Sequence, residues 1–128
     1  MNIRQYLGIP YKYHGRDINE GVDCYGLITN FYRREFNIDL PDLPYRKDVE
    51  LGDEFSDVES NFNKIGWDIV DKLNVYDVIV FKNMRFIGQV ALYLYNNKIL
   101  HTARRTGSVL HDLSKERKRR IIGIYRWL

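Results

Sequence analysis

Gly21-Val22-Asp23-Cys24-Tyr25-Gly26-Leu27-Ile28 is the stretch that orders the rest of the chain. Asp23 is a good helix N-cap, and the apolar positions Leu27, Ile28, Phe31 and Tyr32 recur at helical spacing, so a helix is predicted from Cys24 to about Phe36-Asn37. Cys24 is the single cysteine, and it stands at the first turn of that helix. There, unpaired backbone N–H groups and the positive end of the helix dipole favour thiolate over thiol. Free cysteines are also among the most buried residues, so inert core filler is the competing reading. A nucleophile needs a base, and the next question is what the remaining chain offers.

Upstream, Ile3 to Leu7 predicts a short helix stopped by Gly8 and Pro10, and Tyr11-Lys12-Tyr13-His14-Gly15 is extended chain entering a loop. Downstream, Pro41 and Pro44 mark a loop, and Phe55, Val58, Phe62 and Ile65 predict a second helix over 53–65, closed by Gly66. After Gly66 the period changes from helical to alternating. Val75 to Phe81, Gly88 to Tyr95, Lys98 to Ala103, Ser108 to Leu113 and Ile121 to Trp127 are predicted strands. Helices first and a meander of strands afterwards imply an α+β class with a mostly antiparallel sheet, in a single domain over 1–128.

An apolar content of 45% with 14% aromatics suits a packed globular core. No run approaches the ~20 apolar residues of a membrane span, and Met1-Asn2-Ile3-Arg4-Gln5 has no secretory hydrophobic region, so a soluble chain made in the cytoplasm is expected. One cysteine excludes an internal disulfide, and the scattered Asp and Glu show no metal-binding spacing. Neither a metal nor a cofactor is expected. Twenty basic residues against seventeen acidic leave a formal charge of +3, with much of the excess in Lys115-Glu116-Arg117-Lys118-Arg119-Arg120. No helix-turn-helix, zinc or aromatic RNA-reading signature accompanies that run, so a solvated turn or a contact with an anionic surface or partner is expected, and no nucleic acid.

Pro10-Tyr11-Lys12-Tyr13-His14-Gly15, Gly21 to Ile28, Tyr76-Asp77-Val78-Ile79-Val80-Phe81, Val90-Ala91-Leu92-Tyr93-Leu94 and Ile99-Leu100-His101, in this order, resemble the NlpC family of papain-like cell-wall cysteine peptidases. The resemblance implies a papain-like fold with N-terminal helices packed on the sheet. It implies that Cys24 matches the nucleophile, His101 the third residue that orients the base, and Tyr11 the tyrosine that helps hold the oxyanion. The position of the catalytic histidine maps to Gln89. Two further departures are Tyr25, where Ser is commonest, and His14 in place of Gly. The implied substrate is the peptidoglycan stem peptide, at the bond between D-glutamate and the diamino acid. Short members with a bulky residue after the cysteine look like those carried as tail-tip proteins by bacteriophages, and Ile121-Ile122-Gly123-Ile124-Tyr125-Arg126 fits that type. Its expected partners are then other tail-tip proteins and stem peptides, and its expected place is the virion tail after synthesis in the host cytoplasm.

Gln89 bears on whether chemistry survives. A carboxamide donates and accepts hydrogen bonds but takes no proton at neutral pH, and losing the base of a nucleophile pair costs several orders of magnitude in rate. His101 lies twelve residues on. With a three-residue loop Tyr95-Asn96-Asn97 between Leu94 and Lys98, the two positions share a face, Ala91 faces His101, and Gln89 is its diagonal neighbour at roughly 7–8 Å. A two-residue Asn-Asn turn would send His101 to the other face. His14 and His111 read as surface or packing residues. Two expectations follow. One is a tail subunit that keeps the fold with impaired turnover and a covered Cys24. The other is an active hydrolase that opens the wall during genome entry, with Cys24 reachable in an open cleft.

Overall fold

The computed structural model describes residues 1–42, 62–82 and 90–127. A 3-10 turn at Ile3–Tyr6 leads to a two-stranded ribbon, β1 (Arg16–Asp17) and β2 (Gly21–Val22), and then to α1 (Cys24–Phe36). The strands that follow are β3 (Trp67–Ile69), β4 (Val78–Phe81), β5 (Val90–Leu94), β6 (Lys98–Ala103) and β7 (Gly107–Asp112). A short α2 (Lys115–Lys118) and β8 (Ile121–Trp127) complete the order. Among the described residues they form a six-stranded sheet in the order β3-β8-β4-β5-β6-β7, with every pair antiparallel. The predicted α+β architecture is the one observed.

The helix begins and ends where its residues dictate. The Asp23 side chain accepts from the Gly26 N–H at 2.8 Å, and Asn37 closes the C-terminus in the left-handed conformation with φ 54°. Leu27, Ile28, Phe31 and Tyr32 are buried against Val90, Leu92, Leu94 and Leu100. Alternation sends Ile79, Phe81, Ala91 and Ile99 into a second cluster with Leu113. The sheet is therefore apolar on both faces. The chain from Leu113 to Ile121, which carries the basic run, joins the edge strand β7 to β8, and both its ends pack in that second cluster.

Several boundaries moved. The 53–65 helix lies outside the described residues except at its end, where 62–64 are helical. Gln89 and the start of the strand predicted from Gly88 also lie outside them. The ribbon at 16–22 and the edge strand β3 carried too few residues for alternation to reveal. The basic run is a single helical turn, because the Ser114 hydroxyl accepts from the Arg117 N–H at 3.2 Å and caps it. At the other end of the sheet, buried Asp77 takes two 2.8 Å hydrogen bonds from Arg126, which ties the start of β4 to β8.

Gly26 fixes how closely α1 approaches the ribbon. A Cβ there would lie 2.0 Å from the Gly15 carbonyl oxygen, a main-chain atom that cannot swing away. Gly26→Ala is expected to destabilise the protein by about 2 kcal/mol or more, although alanine is the better helix former. Urea unfolding followed by circular dichroism measures it; a neutral or stabilising change would mean that the ribbon yields freely.

Candidate active site at the start of the first helix

Cys24 sits at the N-terminus of α1 as its sequence predicts, yet its side chain is covered: the residue is 1% exposed, and Sγ donates to the Thr102 carbonyl at 3.4 Å. Only a protonated sulfur can donate to a carbonyl oxygen, so this contact belongs to the thiol form. The neighbouring acid is committed as well. Asp23 is fully buried, and besides capping Gly26 it receives Arg16 Nη1 at 2.7 Å, while Arg16 Nε reaches Asp42 at 2.8 Å. The Arg16 guanidinium also lies 5.6 Å from the Tyr25 ring centroid.

Tyr25, the bulky residue after the cysteine, is a structural element. It is buried edge-on against Phe62, its hydroxyl donates to the Pro41 carbonyl at 2.7 Å, and it accepts from Trp67 Nε1 at 3.3 Å. A serine could not span that distance. His14, where glycine is commoner, has φ 57°, the left-handed region that glycine enters most easily.

Tyr11 is held beside the helix start by a parallel bridge to Val22. Burial, and then the proximity of Cys24 and Asp23, push its hydroxyl above the usual tyrosine range, against an opposing Arg104 whose guanidinium lies 5.8 Å from the ring. The phenol is therefore a donor throughout the physiological range.

The β5–β6 connection is the three-residue loop. Leu94 pairs with Lys98, and Asn96 and Asn97 take φ of 60° and 59°. Continuing that register sets Ala91 opposite His101. Cys24 contacts the residue next to His101 on β6, but the hydrogen-bond partner of the His101 ring is another histidine. His101 Nε2 lies 2.8 Å from His111 Nδ1, and Arg117 Nη2 is 3.5 Å from that same nitrogen. Among the described residues, His101 Nδ1 is buried with no partner. Burial, then the charges of His111 and Arg117, lower the His101 pKa to about 3. His111 is lowered too, by burial and then by Arg117.

His111, expected as a surface or packing residue, is exposed and is the hydrogen-bond partner of His101. Its signal was a second parity argument: Ala103 pairs with Gly107 across Arg104-Arg105-Thr106, so His101 opposes Val109 and His111 is its diagonal neighbour. Among the described residues no group of three or more His, Cys, Asp and Glu is placed to hold a metal ion. No helix among them is long and apolar enough to cross a membrane.

The sequence pattern of the NlpC/P60 family matches residues 8–123, nearly the whole chain. The chain belongs to the NlpC/P60 family. Within the NlpC/P60 family, a cell-wall endopeptidase family, it is 24% identical over 110 residues to the Escherichia coli K12 protein named murein DD-endopeptidase MepS/murein LD-carboxypeptidase. That alignment takes in 86% of this chain and 50% of the other, so the chain spans about half the length of the curated relatives it matches. Among solved structures it resembles an NLP/P60 family protein similar to a lipoprotein from Staphylococcus aureus subsp. aureus Mu50, with TM-score 0.64, 24% identity, and coverage of 97% of this chain and 38% of that one. It also resembles the NlpC/p60 domain of the peptidoglycan hydrolase SagA, with TM-score 0.60, 16% identity, and coverage of 96% and 91%. These likenesses establish the papain-like α+β fold.

The lowered His101 pKa sets a pH dependence. An unfolded histidine binds its proton below about pH 6.5, whereas the folded one refuses it until about pH 3. The stabilisation is complete above 6.5 and is lost as pH falls from there towards 3, by an amount on the order of a few kcal/mol. Urea midpoints from pH 7.5 to 4 should fall more steeply for the wild type than for His101→Asn. Parallel curves would show that His101 takes up its proton in the folded state without cost.

Proposed function

We propose that this chain is a bacteriophage tail-tip protein built on a peptidoglycan stem-peptide cysteine endopeptidase fold, with hydrolysis impaired. The observation that carries the impairment is the covered thiol: Cys24 is 1% exposed and spends its proton on the Thr102 carbonyl. Two facts support it. Gln89 stands in the sequence where the family's base belongs, and a carboxamide accepts no proton at neutral pH. His101, neutral by its lowered pKa, hydrogen-bonds to His111. The tail-tip assignment is supported by the bulky Tyr25 after the nucleophile and by the pattern of Ile121 to Arg126, both like the phage-borne members.

An active hydrolase is the second reading, favoured by Cys24 at a helix N-terminus with the donor Tyr11 beside it. Stem-peptide release from purified peptidoglycan, measured by mass spectrometry, separates the two. The wild type is expected to release little or nothing. Gln89→His is expected to raise release by at least about a hundredfold, since general-base catalysis supplies roughly 10²–10⁴, and adding Cys24→Ala should abolish the gain. Robust wild-type turnover that Cys24→Ala removes would establish the active reading and overturn the impaired one.

The tail assignment has its own measurement. Quantitative mass spectrometry of washed virions should find the chain in a small fixed ratio to tail proteins. Presence in lysates with absence from particles would favour a free lysis factor.

A further inference from the structure

The proton between His101 and His111 can be assigned. Arg117 Nη2 faces His111 Nδ1, and a guanidinium only donates. A proton on His111 Nδ1 would point a donor at both of its neighbours, so that nitrogen is the acceptor and His101 Nε2 carries the hydrogen of their 2.8 Å bond. Since His101 is neutral, its Nδ1 keeps a bare lone pair. That lone pair is buried in a residue 2% exposed and, among the described residues, receives no donor. A buried unmatched acceptor costs on the order of 1–3 kcal/mol. The groups around the pair agree with this assignment. Arg117 is fixed by donating from Nη1 to the Asp112 carbonyl at 3.0 Å and by the Ser114 cap beneath it, while the Asp112 carboxylate is taken by Lys98.

We propose that His111, backed by Arg117, is a positioning residue that holds His101 as the Nε2–H tautomer and thereby keeps Nδ1 as an acceptor for an N–H donor. The inference rests on the lineage reading above, in which position 89 is the base position and His101 the residue that orients it. The matching donor is the ring N–H of a base imidazole. On this view the impaired site keeps its orienting machinery set, and what it lacks is the one group that accepts a proton from Cys24.

The test is a tautomer measurement on the full ¹⁵N-labelled chain at pH 7.5, by long-range proton–nitrogen correlation. Wild-type His101 is expected to show a protonated Nε2 and an unprotonated Nδ1. His111→Ala should shift it to the Nδ1–H form or to a mixture, and His111→Gln, whose carboxamide oxygen can still accept from Nε2–H, should restore the wild-type pattern. His111 is exposed, so its truncation leaves the core packed, and one-dimensional spectra verify the fold. A protonated Nδ1 in the wild type, or an unchanged tautomer in His111→Ala, overturns the proposal.

A second arm uses the Gln89→His background. Adding His111→Ala should lower kcat about tenfold or more with KM unchanged, because a triad held in the wrong tautomer loses rate, not binding; His111→Gln should recover most of it. An unchanged kcat also overturns the proposal. If Gln89→His itself has no turnover, the reading of position 89 as the base position fails, while the nitrogen shifts still decide the role of His111.

Discussion

Asp23 is the constraint on which the site depends. One fully buried carboxylate caps the first turn of α1 through Gly26 and anchors Arg16, which in turn holds Asp42 and covers the Tyr25 ring. A buried carboxylate is tolerable only when paired and hydrogen-bonded, and Asp23 is both. Its commitments fix the start of the helix to the residue, and so fix Cys24. The close approach of Gly26 to Gly15 then sets the depth at which α1 lies against the ribbon.

Around that fixed point the site has two halves in different conditions. The nucleophile half keeps its architecture: Cys24 lies at a helix N-terminus, with the Tyr11 phenol held beside it as a donor. Its sulfur is nevertheless covered and bonded to a main-chain carbonyl of β6. The histidine half is an imidazole pair across β6 and β7, kept neutral by burial and by Arg117. On the function proposed above, the supporting hydrogen bonds of the site are in place and its proton acceptor is the group that glutamine replaces in the sequence.

The Asp77–Arg126 pair and the Tyr25–Pro41 bond show where the chain spends its polar contacts away from the site. Each closes a long-range junction: the first joins β4 to the last strand, the second ties the helix start to the loop that follows α1. Tyr25 thus explains itself by packing, and its departure from the family's serine carries no chemistry of its own.

Local physics made much of this legible. The α1 helix was readable from Asp23, the spacing of Leu27, Ile28 and Phe31, and Asn37, because capping and amphipathic periodicity are local. The strands β4 to β8 were readable from alternation, while the face of His101 stayed open between a two-residue and a three-residue turn until the Leu94–Lys98 pairing decided for the latter. The ribbon at Arg16–Val22 and the strand Trp67–Ile69 were not, since two or three residues hold no period. The sequence by itself determined the class of fold and the place of the thiol. Only the tertiary structure decided that Cys24 is buried and bonded to the Thr102 carbonyl, that Tyr25 is a core strut, and that His101 bonds to His111. Each of those depends on atoms brought together from segments far apart in the chain, where packing and burial, not neighbouring residues, set the outcome.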